Sequence, residues 1–147
     1  MKKFKKKVYV PLGVDFLHEG HINILKIAQK YGEVIVGLLT DEAIASYKSI
    51  PILNYKNREL LVKNLKYVSK VVPQTTDDYI NNLNKIKPDF LVHGDDWKYD
   101  NRKRIRTKVI KTLKKWSGKL IEPRYTKNIS SSKIKNKILE IATLPEN

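Results

Sequence analysis

The 147-residue chain has no cysteine, a single methionine and only three histidines, and no apolar run approaches the length of a membrane span. The missing cysteines exclude a disulfide scaffold, a thiolate nucleophile and any thiolate-bound metal. The shortage of histidine confines imidazole chemistry to His18, His21 and His93. A spanning helix needs about 20 consecutive apolar residues, so no membrane partner is expected. The opening stretch Met1–Lys7 is basic and lacks the apolar centre of a secretion signal, so a cytoplasmic location is expected. Glycine and proline number six each, without a linker, repeat or low-complexity segment. One domain over 1–147 is therefore expected, with 1–7 a basic lead and 143–147 a frayed tail.

Positive charge is abundant. Thirty Lys and Arg face fifteen Asp and Glu, a formal net charge of +15. Such a balance invites a nucleic-acid reading, and a basic nucleic-acid-binding module is the alternative function of another class. The lysines, however, are spread through every helical stretch, and no basic motif interleaved with aromatics appears. The expectation is weak, salt-sensitive association with polyanions and no specific nucleic-acid partner. The same field draws in anionic nucleotides and phosphorylated small molecules.

Hydrophobic periodicity lays out the elements. Val8–Leu12 reads as a strand, Gly20–Tyr31 as a helix, and Val34–Leu39 as a strand apolar on both faces. Thr40 or Asp41 caps a short helix to about Ser46, and Asn54–Lys66 is a further helix. Val68–Val72 is strand-like with Pro73 ending it, Asp77–Ile86 helical, and Phe90–Val92 a strand. Arg102–Trp116, Lys119–Ile121 and Ser130–Ile141 complete the alternation as helix, strand and helix. Four or five strands alternating with helices predict an α/β fold with a doubly wound parallel sheet, which binds ligands beyond the carboxyl ends of its strands.

The unusual polar residues fall at those ends. His18-Glu19-Gly20-His21 places two imidazoles three residues apart where a strand gives way to a helix. Residues three apart share a helix face, and the helix start offers N–H groups and positive dipole. A phosphate chain would meet both imidazoles, those backbone donors and a glycine permitting close approach. The zinc-protease pattern needs His-Glu-x-x-His, and only His93 remains as a further histidine, so these histidines are not expected to hold a metal. Lys48, Gly94-Asp95-Asp96-Trp97 and Thr126-Lys127-Asn128-Ile129-Ser130-Ser131-Ser132 lie at the ends of other strands. Trp97 suits either stacking on a ring or plugging the core, and Ser130 suits either a phosphate contact or an N-cap.

Together with Gly13-Val14-Asp15, this set resembles the cytidylyltransferases of the nucleotidyltransferase superfamily marked by His-x-Gly-His, over about Val8–Ile141. The stretches Gly37–Lys48 and Val92–Lys98 are similar to cytidylyltransferase domains associated with phosphoenolpyruvate mutase in phosphonate biosynthesis. The resemblance implies a Rossmann-like nucleotidyltransferase fold and transfer of CMP from CTP, with Mg²⁺, to a small phosphonate of the 2-hydroxyethyl or 2-aminoethyl type. Glycerol 3-phosphate or another phospho-alcohol is the alternative acceptor, and a homodimer is the expected assembly.

By the same resemblance His18, His21 and Lys48 form the catalytic set. Gly13, Val14, Gly94, Asp95, Asp96, Thr126, Ile129, Ser130 and Ser131 join the two histidines in binding nucleotide. Lys48, Asp15 and Arg58 lie on the acceptor side, with Asp15 bracing its loop. Asp95 and Asp96 divide between capping the next turn and meeting cytosine, ribose or Mg²⁺. Three positions depart from the family pattern: Tyr125 follows Arg124 where an arginine is usual, Asn128 replaces a glycine, and the serine–threonine pair is all serine. Asn128 tolerates a left-handed backbone better than most residues.

Overall fold

Alternation of side chains along two strands decides the centre of the molecule, whose computed structural model describes residues 5–146. Met1–Phe4 of the basic lead and Asn147 of the tail lie outside the described residues. In β1 (Lys7–Leu12) and β2 (Glu33–Leu39) successive side chains leave on opposite faces. Val8, Val10, Val34, Val36 and Leu38 enter one core with Leu25 of α1 (Glu19–Gln29). Tyr9, Ile35 and Leu39 enter the other core with Trp97. Neither strand has a solvent face, which is why β2 reads as a continuous apolar run.

Five strands pair in parallel in the order β3-β2-β1-β4-β5, with β3 at Lys70–Gln74, β4 at Phe90–Val92 and β5 at Lys119–Ile121. The chain winds outward from β1 in both directions, so the crevice between β1 and β4 is the switch point. Helix α3 (Tyr55–Lys63) contributes Val62 to the β1 even-residue core, alongside α1. Helices α2 (Asp41–Ala45), α4 (Ile80–Ile86) and α5 (Lys103–Leu113) line the other core through Ile44, Leu83 and Val109. Helix α6 (Ser131–Ala142) closes the rim. Among the described residues no helix is long and apolar enough to cross a membrane.

Several boundaries differ from the sequence expectation, each for a local reason. Pro73 does not end a strand but lies inside β3, opposite Leu38. An edge strand tolerates proline because its outward N–H has no partner to lose. Helix α4 starts at Ile80 rather than Asp77, because Tyr79 adopts φ 65° and turns the chain out of the right-handed helix. The stretch after Gly94 winds into a 3₁₀ turn, Asp95–Lys98, and the end of the long basic helix becomes another, Lys114–Trp116. At Gly37 a Cβ would stand 1.9 Å from the Tyr9 hydroxyl. The missing side chain lets that phenol cross to Gln74 and Asn82 inside the core.

Candidate active site

Helix α1 begins with a cap made of two imidazoles. His18 is the N-cap residue, and its Nδ1 accepts from the Gly20 N–H at 3.0 Å. His21 Nδ1 accepts in return from the His18 N–H at 3.2 Å. This is a capping box with histidine in both roles. It fixes the tautomers: a nitrogen that accepts from an N–H carries no proton, so each neutral ring carries its proton on Nε2. Gly20 is required because His18 folds over it; a Cβ there would lie 2.8 Å from the imidazole Cε1.

Burial holds both rings neutral. The His18 proton affinity is lowered by desolvation. His21 drops to about 3, through burial first and then through the nearby His18 and Lys48. With ring centres 4.0 Å apart, the pair offers two N–H donors without net charge. The cap also changes the expectation for this corner: the Gly20 N–H is taken by His18, so imidazole rather than that backbone group faces a ligand.

A cavity of about 250 Å³ opens over this cap at the carboxyl ends of β1 and β4. His18, His21, Lys48, Gly94, Asp96, Thr126, Ile129, Ser130 and Ser131 all line it. The rim segments are tied to one another. Ser131 Oγ exchanges hydrogen bonds with the Phe16 backbone at 3.4 Å, joining the α6 start to the loop after β1. Asn23 donates to the Thr126 hydroxyl at 3.1 Å. Ser130 Oγ accepts from the Lys133 N–H at 3.1 Å, the ordinary N-cap arrangement. Asn128 has φ 68°, the left-handed conformation its side chain tolerates.

Four of the expected residues stand behind the cavity or beside it. Asp95 Oδ1 accepts from the Tyr125 N–H at 2.8 Å, leaving Asp96 as the carboxylate of that pair on the cavity wall. Gly13 and Val14 lie beneath the wall, which is formed here by Pro11 and Leu12. Val14 adopts φ 55°, an uncommon strain for a β-branched residue and one that concentrates at functional loops. Asp15 accepts from the Ile52 N–H at 2.8 Å and pairs with Lys135. Burial pushes its carboxyl up, but those partners outweigh burial and hold it below the usual range. Asp15 thus braces its loop.

Arg58 is fully buried, away from the cavity. It donates to the carbonyls of Gly13 and Leu39 at 2.7 Å, to Leu53 at 3.0 Å and to Asp41 at 2.6 Å. Its position corrects the expectation of an acceptor contact: three backbone carbonyls and the Asp41 carboxylate converge on the guanidinium and hold it inside the protein. Arg124 is exposed and does not line the cavity.

A residue emerges that the sequence did not single out for binding. His93 lines the cavity, stacked on Trp97 with ring centres 3.7 Å apart. Its Nδ1 lies 2.8 Å from the Gly94 carbonyl, so the proton sits on Nδ1 and Nε2 is an acceptor, the reverse of His18 and His21. Trp97 is completely buried and donates to Glu122 at 2.7 Å, which settles it as a core plug. Arg102 lies over the Tyr47 ring, which Lys48 also approaches, but does not line the cavity. Lys48 is exposed at the cavity mouth, yet the protein around its ammonium, then Lys135 and Arg102, lower its proton affinity.

A parallel sheet with its switch-point cavity, two uncharged imidazole donors and a lysine defines a nucleotide-processing α/β domain. The chain belongs to the cytidylyltransferase-like family, whose model matches residues 14–137. That membership makes it an enzyme of the nucleotidyl-transfer class. It is 30% identical over 136 residues to an FAD synthase of Thermoplasma volcanium, covering 86% of this chain and 89% of that protein. It is 39% identical over 95 residues to an ethanolamine-phosphate cytidylyltransferase of Dictyostelium discoideum, covering 61% of this chain. The matched part is only 26% of that longer relative. A lipopolysaccharide core biosynthesis protein from Thermoplasma volcanium superposes with a TM-score of 0.69 at 26% identity, over 86% of this chain and 100% of its own.

Proposed function

We propose that the protein transfers CMP from CTP to a small phosphonate, of the 2-hydroxyethyl or 2-aminoethyl type, and releases pyrophosphate. The double-histidine cap carries this reading. It presents two Nε2–H donors at a helix start without adding charge that would trap the pyrophosphate product. An oxygen of the acceptor's phosphonate attacks the α-phosphorus of CTP, and the bond from that phosphorus to the bridging oxygen of the β-phosphate breaks. The attacking oxygen is already anionic at neutral pH, so no general base is needed. Positioning and charge stabilisation supply the acceleration.

In this reading His18 and His21 donate to the oxygens of the transferring phosphate, and Lys48 at the mouth meets the acceptor's anionic group. His93 Nε2 is an acceptor suited to an exocyclic amino group such as that of cytosine. Mg²⁺ fits as an ion carried in by the triphosphate: Asp96 lines the cavity and would supply a carboxylate, the pattern Mg²⁺ favours. Its contribution would be to neutralise charge on the departing phosphates. A homodimer belongs to the same proposal and is checked by light scattering.

A phospho-alcohol acceptor is the second reading, supported by the ethanolamine-phosphate cytidylyltransferase relatives from Dictyostelium discoideum and Arabidopsis thaliana. Pyrophosphate release from CTP and Mg²⁺, measured across phosphonates, glycerol 3-phosphate and phosphoethanolamine, tests both. Acceptor-dependent release with a phosphonate leading is expected; release indifferent to every acceptor overturns the proposal. Thermal shifts with CTP and ATP separate cytidylyl from adenylyl transfer, since ligand at 100 times its Kd stabilises by about 2.7 kcal/mol.

A further inference from the structure

Sheet order gives the cavity rim a direction. The strands run β2, β1, β4, β5, and neighbours lie about 4.8 Å apart, so the groups beyond their carboxyl ends are strung out in that order. Lys48 follows α2, which starts at the end of β2. His18 and His21 stand beyond β1, Gly94 and Asp96 beyond β4, and Tyr125 beyond β5. All of these line one cavity. With a phosphate on the imidazoles and an acceptor at Lys48, the β4–β5 side is left for the rest of the donor nucleotide.

That side ends in an aromatic wall on a fixed base. Three hydrogen bonds carry the β4–β5 alignment past the strands: His93 N–H to the Ile121 carbonyl at 3.1 Å, Asp95 N–H to the Pro123 carbonyl at 3.1 Å, and Tyr125 N–H to Asp95 Oδ1 at 2.8 Å. They set the Tyr125 ring against the bare backbone of Gly94, where an added Cβ would meet Tyr125 Cδ2 at 3.6 Å. The phenol end is held only by a 3.5 Å contact from its hydroxyl to the Ile129 carbonyl. The ring lines the cavity and is still 43% exposed, so it has apolar surface left to bury. The chemistry of this end does not suit phosphate. Among the described residues Lys48 is the one lysine or arginine in the lining, and the charged group beside Tyr125 is the Asp96 carboxylate. His93 adds an acceptor, Nε2, on a ring pinned by Trp97 and the Gly94 carbonyl. An uncharged planar ring bearing an amino group fits a stacking face with an acceptor near it.

We propose that Tyr125 is a nucleotide-binding residue of the base side: its ring stacks on the cytosine of CTP. The face of the ring does the holding, and the hydroxyl is dispensable. This assignment rests on cytidylyl transfer with the acceptor at Lys48 as proposed above, and adds the side chain that holds the base.

Calorimetric titration of the full chain with CTP and with inorganic triphosphate, both with Mg²⁺, tests the stack, because the second ligand keeps the phosphates and lacks the nucleoside. Tyr125→Ala should raise the Kd for CTP about tenfold, within the range of one base on an aromatic side chain, and leave that for inorganic triphosphate unchanged. Tyr125→Phe should bind both like the wild type. The melting temperature should hold in both variants, since the ring is exposed. Equal weakening of the two ligands in Tyr125→Ala would place the ring against phosphate, or make it a brace for the rim, and overturn the assignment. A loss in Tyr125→Phe as large as in Tyr125→Ala would overturn it in favour of the hydroxyl, and an unchanged Kd for CTP in Tyr125→Ala would make the ring a bystander. Pyrophosphate release by the wild type keeps the two readings apart: acceptor-dependent release from CTP with any of those three outcomes sinks the stack alone. A wild type that neither binds CTP nor releases pyrophosphate from it removes cytidylyl transfer and the stack together.

Discussion

Arg58 and Arg102 stand on helical segments covering opposite faces of the sheet, and the structure uses them in opposite ways. Arg58 is closed: every contact it makes is to the protein, and it clamps the loop after β1 to the end of β2 and the approach to α3. Arg102 is half-buried outside the cavity lining: it donates to the Tyr79 hydroxyl and the Asp77 carbonyl and lies over the Tyr47 ring. The same side chain is a clamp where carbonyls converge on it and a pin between helical segments where aromatic rings hold it. Hydrogen-bond partners, not residue type, separate the two.

The sharpest way to break this contrast is to remove the clamp. Arg58→Leu should cost about 3–5 kcal/mol of stability, because it leaves the Gly13, Leu39 and Leu53 carbonyls without their donor. The urea midpoint measures it, and a loss below about 1 kcal/mol would make Arg58 as dispensable as a surface cation. Next in size is a separation of capping from chemistry at the histidine box. Asparagine is a good N-cap, so His18→Asn should keep the melting temperature close to wild type. Turnover should still fall about 10²–10³-fold, or roughly 3–4 kcal/mol, through loss of the Nε2–H donor. Matching losses of stability and turnover would mean that the imidazole only caps.

A smaller effect is expected at the cavity lysine. Lys48→Met should raise the acceptor KM about tenfold, in the range of a charge-assisted hydrogen bond, and affect the CTP KM less. Equal changes in both would move Lys48 to the nucleotide. A separate effect, confined to acid pH, is on the pH dependence of stability. The fold keeps His21 neutral down to about 3, whereas the ordinary value is 6.5. As pH falls through that window the unfolded chain takes up a proton that the folded chain refuses, so stability declines from about pH 6.5 toward 3. His21→Asn should flatten that part of a stability–pH curve; an unaltered slope would place the titrating groups elsewhere.

Legibility of the fold followed the range of the interactions responsible. The two central strands and α1 announce themselves through apolar spacing, since burial on a sheet face or helix stripe imposes a period on the chain. Boundaries drifted where one residue obeyed a longer-range demand. Tyr79 takes a left-handed backbone while its side chain is buried and bonded to Arg102, and Pro73 stays in β3 only because that strand is an edge. Val14 is the hardest case: the left-handed residue falls on a valine although Gly13 precedes it. Asn128 was the easy one, because its side chain advertises that conformation.

The candidate site divides along the same line. His18, Gly20 and His21 lie within four residues, so helix geometry alone brings the imidazoles onto one face and their chemistry is written in the sequence. Convergence of the Gly94 and Thr126 segments follows from strand ends meeting at one edge of a parallel sheet. The number of charges, the absence of thiols and the order of elements were likewise settled before any coordinate. The tautomers of the three histidines, the burial of Arg58 and the anchoring of Arg102 on Tyr47 and Tyr79 were not. Each depends on which donors and acceptors arrive from distant segments, and among thirty cations no local pattern tells a clamp from a contact. Long-range packing made those choices, because hydrogen bonds are satisfied in three dimensions rather than along the chain.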